Sequence, residues 1–120
     1  MDGATTVLEE QGKEGRREQR QFQRKLLKTR AVIALEGGGA VVGRTVDIST
    51  NGLCVNLADP LRIGVPVQLR FDLLVDGKPH TIQVHGRVTY CILSGSEFKT
   101  GVQFMNVELA VMTSLAKFLR

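Results

Sequence analysis

A chain of 120 residues and 13.2 kDa accommodates one compact domain and, with it, one principal site. At 42% hydrophobic and 23% charged, with 13 Gly, 3 Pro and no Trp, the composition is that of a folded globular chain and excludes wholesale disorder. The net charge of +4 is concentrated: residues 1–12 carry −3, residues 13–30 carry +6 and the remaining ninety carry +1, so the domain itself is nearly neutral.

Residues 1–19 lack hydrophobic periodicity and read as a flexible basic N-terminal arm, with order expected near Phe22. From Lys28 a period of two sets in, with Ala31, Ile33 and Leu35 on one face, until the glycine run 37–39 turns the chain. A second strand is expected over 40–48 and a third over 53–57. Between them DISTNG supplies turn chemistry, with its glycine expected at positive φ. The fourth strand alternates Val67, Leu69, Phe71, Leu73 and Val75 against Gln68, Arg70 and Asp72. Asp76-Gly77 is a preferred tight-hairpin pair, and the return strand places Ile82, Val84, Gly86, Val88 and Tyr90 on the apolar side. A sixth strand alternates Phe98, Thr100, Val102 and Phe104. The last segment changes period, and Leu109, Met112, Ala116 and Leu119 form the expected apolar stripe of a helix. Six short antiparallel strands followed by one helix imply a mainly β fold, a small six-stranded barrel closed on itself so that no edge stays open.

No nucleophile elbow, zinc-protease motif, P-loop or dinucleotide fingerprint is present, and the chain reads as non-enzymatic, without cofactor or metal. His80 and His85 read as exposed strand histidines, and no carboxylate pair suited to acid–base work is discernible. Cys54 and Cys91 stand 37 residues apart with no metal-ligand spacing around them. No 18-residue apolar run exists, so a cytoplasmic protein without membrane insertion is expected. The basic arm suits RNA, an anionic lipid surface, an acidic partner or a small phosphorylated ligand, and charge alone does not choose among them.

Two motifs do. Arg20 and Arg24 form RQFQR around Phe22, and Asp47 to Gly52 form DISTNG at a strand-to-strand turn. An RxxxR ahead of a small barrel, followed by DxSxxG, resembles the PilZ domain, the bacterial receptor family for cyclic di-GMP. The resemblance extends over residues 20–120, with 1–19 as tail, and GVQF at 101–104 is similar to the family's last strand. Arg16 to Arg20 also satisfies the spacing, but an aromatic midway between the arginines selects Arg20 and Arg24, with Phe22 as a peg that docks the arm.

The resemblance implies a stand-alone receptor whose ligand is cyclic di-GMP. Arg20 and Arg24 would meet phosphate and guanine, Asp47 a guanine edge or an arginine, Ser49 a polar ligand atom, and Gly52 would shape the turn. The chemistry agrees: arginine pairs bidentately with phosphate or with guanine O6 and N7 and stacks on purines, and a carboxylate accepts from guanine N1 and N2. Ligand binding would order the arm, and the changed surface would be read by a downstream protein controlling motility, biofilm or exopolysaccharide output. Gln19 stands where many family members carry another arginine, which leaves a count of one or two ligands open. The alternatives are a PilZ-fold adaptor that binds no nucleotide, for which loss of a motif would be expected, and a small RNA-binding barrel, opposed by the near-neutral domain and 5% aromatics. No contact with DNA is expected.

Overall fold

The computed structural model describes residues 23–120. Seven strands, β1 (Lys25–Leu26), β2 (Arg30–Leu35), β3 (Ala40–Ile48), β4 (Gly52–Leu57), β5 (Pro66–Val75), β6 (Lys78–Ser94) and β7 (Glu97–Met105), precede one helix, α1 (Leu109–Leu119). All pairings are antiparallel. The order β3-β2-β5-β6-β7-β4 closes through β3 and β4 into the expected six-stranded barrel, and β1 is a two-residue addition on β3. Six strands were expected; the seventh is too short for any periodicity to reveal.

Alternation builds the barrel as the sequence suggests. Along β5 every second side chain, Val67, Leu69, Phe71, Leu73 and Val75, is buried and those between are exposed. The hairpin to β6 turns on Asp76 and Gly77, whose φ values of 52° and 76° are those a right-twisted two-residue turn requires. The interior is apolar, from Ala31 and Ile33 through Leu53, Val55 and Leu69 to Val88 and Val102.

Two bulges interrupt the alternation. Between Thr45 and Asp47 the register against β4 shifts, leaving Val46 as the extra residue, and between Val88 and Tyr90 the register against β7 shifts at Thr89. A bulge re-aims the side chains that follow it. Tyr90, expected on the apolar face with Val88, is thereby turned to the outer face.

α1 forms where the period changes, but its buried stripe is Val111, Leu115 and Leu119, not the expected Leu109, Met112 and Ala116. Leu109 and Met112 are 76% and 47% exposed. Both stripes have helical spacing, and Val107 and Phe118, which pack partly against the core, select the one that docks. At the other end, Thr45 secures the chain's entry: its buried hydroxyl donates to the Leu27 carbonyl and accepts from the Thr29 amide at 2.9 Å. Leu27 is itself buried in the core.

Candidate ligand-binding site

The two bulges converge on one place. Asp47 pairs with Cys54, Cys54 with Gly101 and Gly101 with Tyr90, so these four residues form a single rung across β3, β4, β7 and β6 on the outer face of the barrel. A cavity of about 550 Å³ lies along this rung, lined also by Arg24, Ser49, Gly52, Lys99 and Gln103. That volume is within the usual range for small-molecule sites, roughly 300–1,000 Å³.

Arg24 stands at one end. Its Nε and Nη2 both donate to Asp47 Oδ1, at 3.2 and 2.6 Å. Because both donors converge on one oxygen, Asp47 Oδ2 and Arg24 Nη1 have no partner among the described residues. The side chains are 39% and 28% exposed, so the pair is reachable from solvent. Burial works to lower the Arg24 pKa, but the hydrogen bond and charge of Asp47 outweigh it and the guanidinium sits above its ordinary value. It stays cationic throughout the usable pH range.

DISTNG forms the wall beside it. The Ser49 amide donates to the Gly52 carbonyl at 2.9 Å, the Asn51 amide to Ser49 Oγ at 3.1 Å, and the Phe104 amide to the Asn51 carbonyl at 2.8 Å, which ties the turn to β7. Ser49 is 1% exposed, and its hydroxyl oxygen already serves the turn. Gly52 departs from expectation: its φ is not positive, and glycine is required for another reason. A Cβ there would lie 2.5 Å from the Val102 carbonyl oxygen, so only glycine lets the turn close onto β7.

Tyr90 closes the other end. Its ring lies across Gly101, and a Cβ on Gly101 would run directly into it. This is the arrangement by which a cross-strand aromatic covers a glycine. Burial first, and then the Cys54 thiol beside it, push the phenol above its ordinary value, so Tyr90 is neutral at physiological pH. Cys54, although on the outer rung, is 3% exposed. The rung thus offers a carboxylate and a guanidinium at one end and a neutral aromatic surface at the other, with Lys99 and Gln103 along the rim.

Of the residues singled out by sequence, Arg24, Asp47, Ser49 and Gly52 meet in this cavity. Arg20, together with Phe22, lies outside the described residues. Tyr90, Lys99 and Gln103 were missed. The signal for Tyr90 is weak but present, as it is the sole tyrosine and faces a glycine across a hairpin. Among the described residues no group of three or more His, Cys, Asp or Glu is placed to hold a metal ion, and no helix is long and apolar enough to cross a membrane.

The fold has close counterparts among solved structures. The inhibitor of motility of Bacillus subtilis superposes with a TM-score of 0.72 at 19% identity, covering 83% of this chain and 48% of its own. The PilZ domain of Escherichia coli YcgR, solved with c-di-GMP, gives 0.65 at 15% identity and covers 83% and 88%. The complex of MrkH from K. pneumonia with c-di-GMP gives 0.68 at 19% identity, covering 83% and 49%. The chain therefore spans about half the length of the first and third and nearly all of the isolated domain. No curated protein matches it in sequence. The family model of the PilZ domain matches residues 18–120, which include all of the described residues and both motifs, and the chain belongs to the PilZ domain family.

Proposed function

We propose that this domain is a receptor for cyclic di-GMP that binds along the outer rung, and that it is non-enzymatic. The observation that carries the reading is the Arg24–Asp47 pair, held at the edge of a ligand-sized cavity with one donor and one acceptor atom uncommitted among the described residues. Two of the structural counterparts were solved with this ligand.

The chemistry fits each end. Guanine presents N1–H and N2–H donors on one edge and O6 and N7 acceptors on another. Asp47 Oδ2 suits the first, and Arg24 suits the second or a phosphate oxygen. The neutral Tyr90 ring, held flat by Gly101, supplies a surface on which a purine stacks, an interaction worth about 1–3 kcal/mol per base. A cationic or ionised group there would lack that flat, neutral face. Ser49 and Gly52 hold the wall in place, and the Ser49 hydroxyl hydrogen is left to donate toward the ligand.

Residues 1–19 are the arm in this reading and 20–120 the domain. Arg20, four residues ahead of Arg24, supplies the second guanidinium when the arm closes over the ligand, and the ordered arm is the changed surface that a downstream protein reads. The retained Arg24–Asp47 pair favours this over a PilZ-fold adaptor that binds no nucleotide. Calorimetry tests it: cyclic di-GMP should bind the wild type with measurable heat, and Arg20→Ala, Arg24→Ala and Asp47→Ala should each weaken binding about tenfold or more. Absence of heat at high micromolar ligand, or unchanged affinity in all three variants, rejects the assignment.

A further inference from the structure

The residue next to Arg24 points elsewhere. Lys25 Nζ donates to the Phe118 carbonyl at 2.9 Å and stands 4.5 Å from the centroid of the Phe118 ring. Phe118 is in the last turn of α1, where carbonyls lack intrahelical partners and a cation is favoured by the helix dipole. Adjacent residues of an extended chain send their side chains to opposite sides. Arg24 accordingly reaches the cavity while Lys25 reaches the helix.

We propose that Lys25 is a latch that couples the ligand site to the C-terminal end of α1, and that ligand binding and the latch oppose one another. The inference rests on the cyclic di-GMP reading and adds its regulation. Arg24 already lines the cavity, but its Nε and Nη2 are spent on Asp47 Oδ1, so pairing bidentately with a phosphate requires it to leave Asp47 and advance further into the cavity. The backbone that must follow is lightly held: β1 makes only two residue pairs with β3, Lys25 with Ile48 and Leu26 with Asp47. Leu26 is 70% exposed and adds no anchor. The next firm attachment is Leu27, whose amide donates to the Val46 carbonyl at 3.0 Å. A pull on Arg24 toward the cavity therefore draws Lys25 away from Phe118. The last turn of α1 then loses the Lys25 ammonium, keeping only its own Lys117 there, and becomes the part of the domain whose order depends on ligand.

Coupling of this kind is reciprocal, so removing the latch must raise ligand affinity by the factor through which ligand weakens the latch, typically about 5- to 150-fold. Simple electrostatics predicts the opposite sign, since Lys25→Met deletes a positive charge near an anionic ligand. Calorimetry of cyclic di-GMP with the wild type, Lys25→Met and Lys25→Arg decides. The latch predicts at least about fivefold tighter binding by Lys25→Met and wild-type binding by Lys25→Arg, which keeps a donor for the carbonyl. Hydrogen exchange supplies a second readout. Ligand should speed exchange of the amides of residues 116–120 in the wild type and leave Lys25→Met, already fast there, unchanged. Equal or weaker binding by Lys25→Met, with the wild type binding normally, overturns the latch and leaves the receptor assignment standing. No binding by the wild type overturns both.

Discussion

One residue along β3, β4 and β7, and two along β6 where Thr89 is the bulge, separate the rung Ile48, Leu53, Val102 and Val88 from the rung Asp47, Cys54, Gly101 and Tyr90. The first points into the barrel, is at most 2% exposed at every position and consists only of aliphatic side chains. The second points outward and mixes an acid, a thiol, a glycine and a tyrosine beside an arginine. The inner rung asks for apolar side chains that fill the barrel, and volume-conserving swaps there should cost less than about 1.5 kcal/mol. The outer rung is chemically mixed, and at Gly101 only glycine leaves room for the Tyr90 ring to lie over it. Two residues reach the outer rung only through a bulge, which shows the fold giving up ladder regularity next to its site.

Substitutions on the two rungs should separate stability from binding. The largest effect is expected from Leu53→Ala, which opens a void in the barrel interior and should cost about 2–5 kcal/mol in a denaturant titration. Next comes Gly101→Val. Its side chain collides with the Tyr90 ring and should cost about 1–3 kcal/mol while displacing the aromatic surface, so ligand heat should fall with it. If Gly101→Val binds cyclic di-GMP as the wild type does, the aromatic end of the site is misassigned.

Arg24→Ala inverts the pattern. Its partly exposed pair with Asp47 contributes little to folding, within about 1 kcal/mol, whereas ligand affinity should drop about tenfold or more. A Leu53-like loss of stability in Arg24→Ala would erase the distinction between the rungs.

The smallest effect concerns pH. The Tyr90 phenol is raised in the fold, first by burial and then by Cys54, above an ordinary value of 10.0. The folded form then keeps a proton that the unfolded form has lost, so this contribution is whole below pH 10 and declines as the pH climbs past it. Since Tyr90 is the sole tyrosine, phenolate absorbance reads it directly: the folded protein should titrate later than the urea-unfolded chain. Tyr90→Phe should lose less stability than the wild type between pH 8 and 11, as read from urea midpoints.

The alternation of β5 and the Asp76-Gly77 turn made the barrel legible in the sequence, because a half-buried strand writes its period directly into side-chain polarity. The bulges at Val46 and Thr89 were not legible. An extra residue leaves no compositional mark, and unbroken alternation carries Tyr90 to the wrong face. The helix failed in the same way, since Leu109, Met112 and Ala116 satisfy helical spacing as well as Val111, Leu115 and Leu119 do. Only the surface that receives α1 distinguishes them. In the site, Arg24, Asp47, Ser49 and Gly52 were found through motif spacing, which is local to the chain. Tyr90, Lys99 and Gln103 arrive from strands distant in sequence, and their proximity is a product of barrel closure. The positive φ expected at Gly52 is not found: the demand for glycine there comes from the Val102 carbonyl across the sheet and not from its own dihedral angle.

The central claim is that cyclic di-GMP occupies the outer rung. An amide-resolved NMR titration with this ligand tests it most directly, because a second groove of about 290 Å³, lined by Ala34, Gln68 and His85, provides an internal control on another part of the wall. Shifts confined to residues 47–54, 89–91 and 99–103, together with Arg24, are the predicted result. Shifts centred on Ala34, Gln68 and His85, or none at saturating ligand, would contradict it.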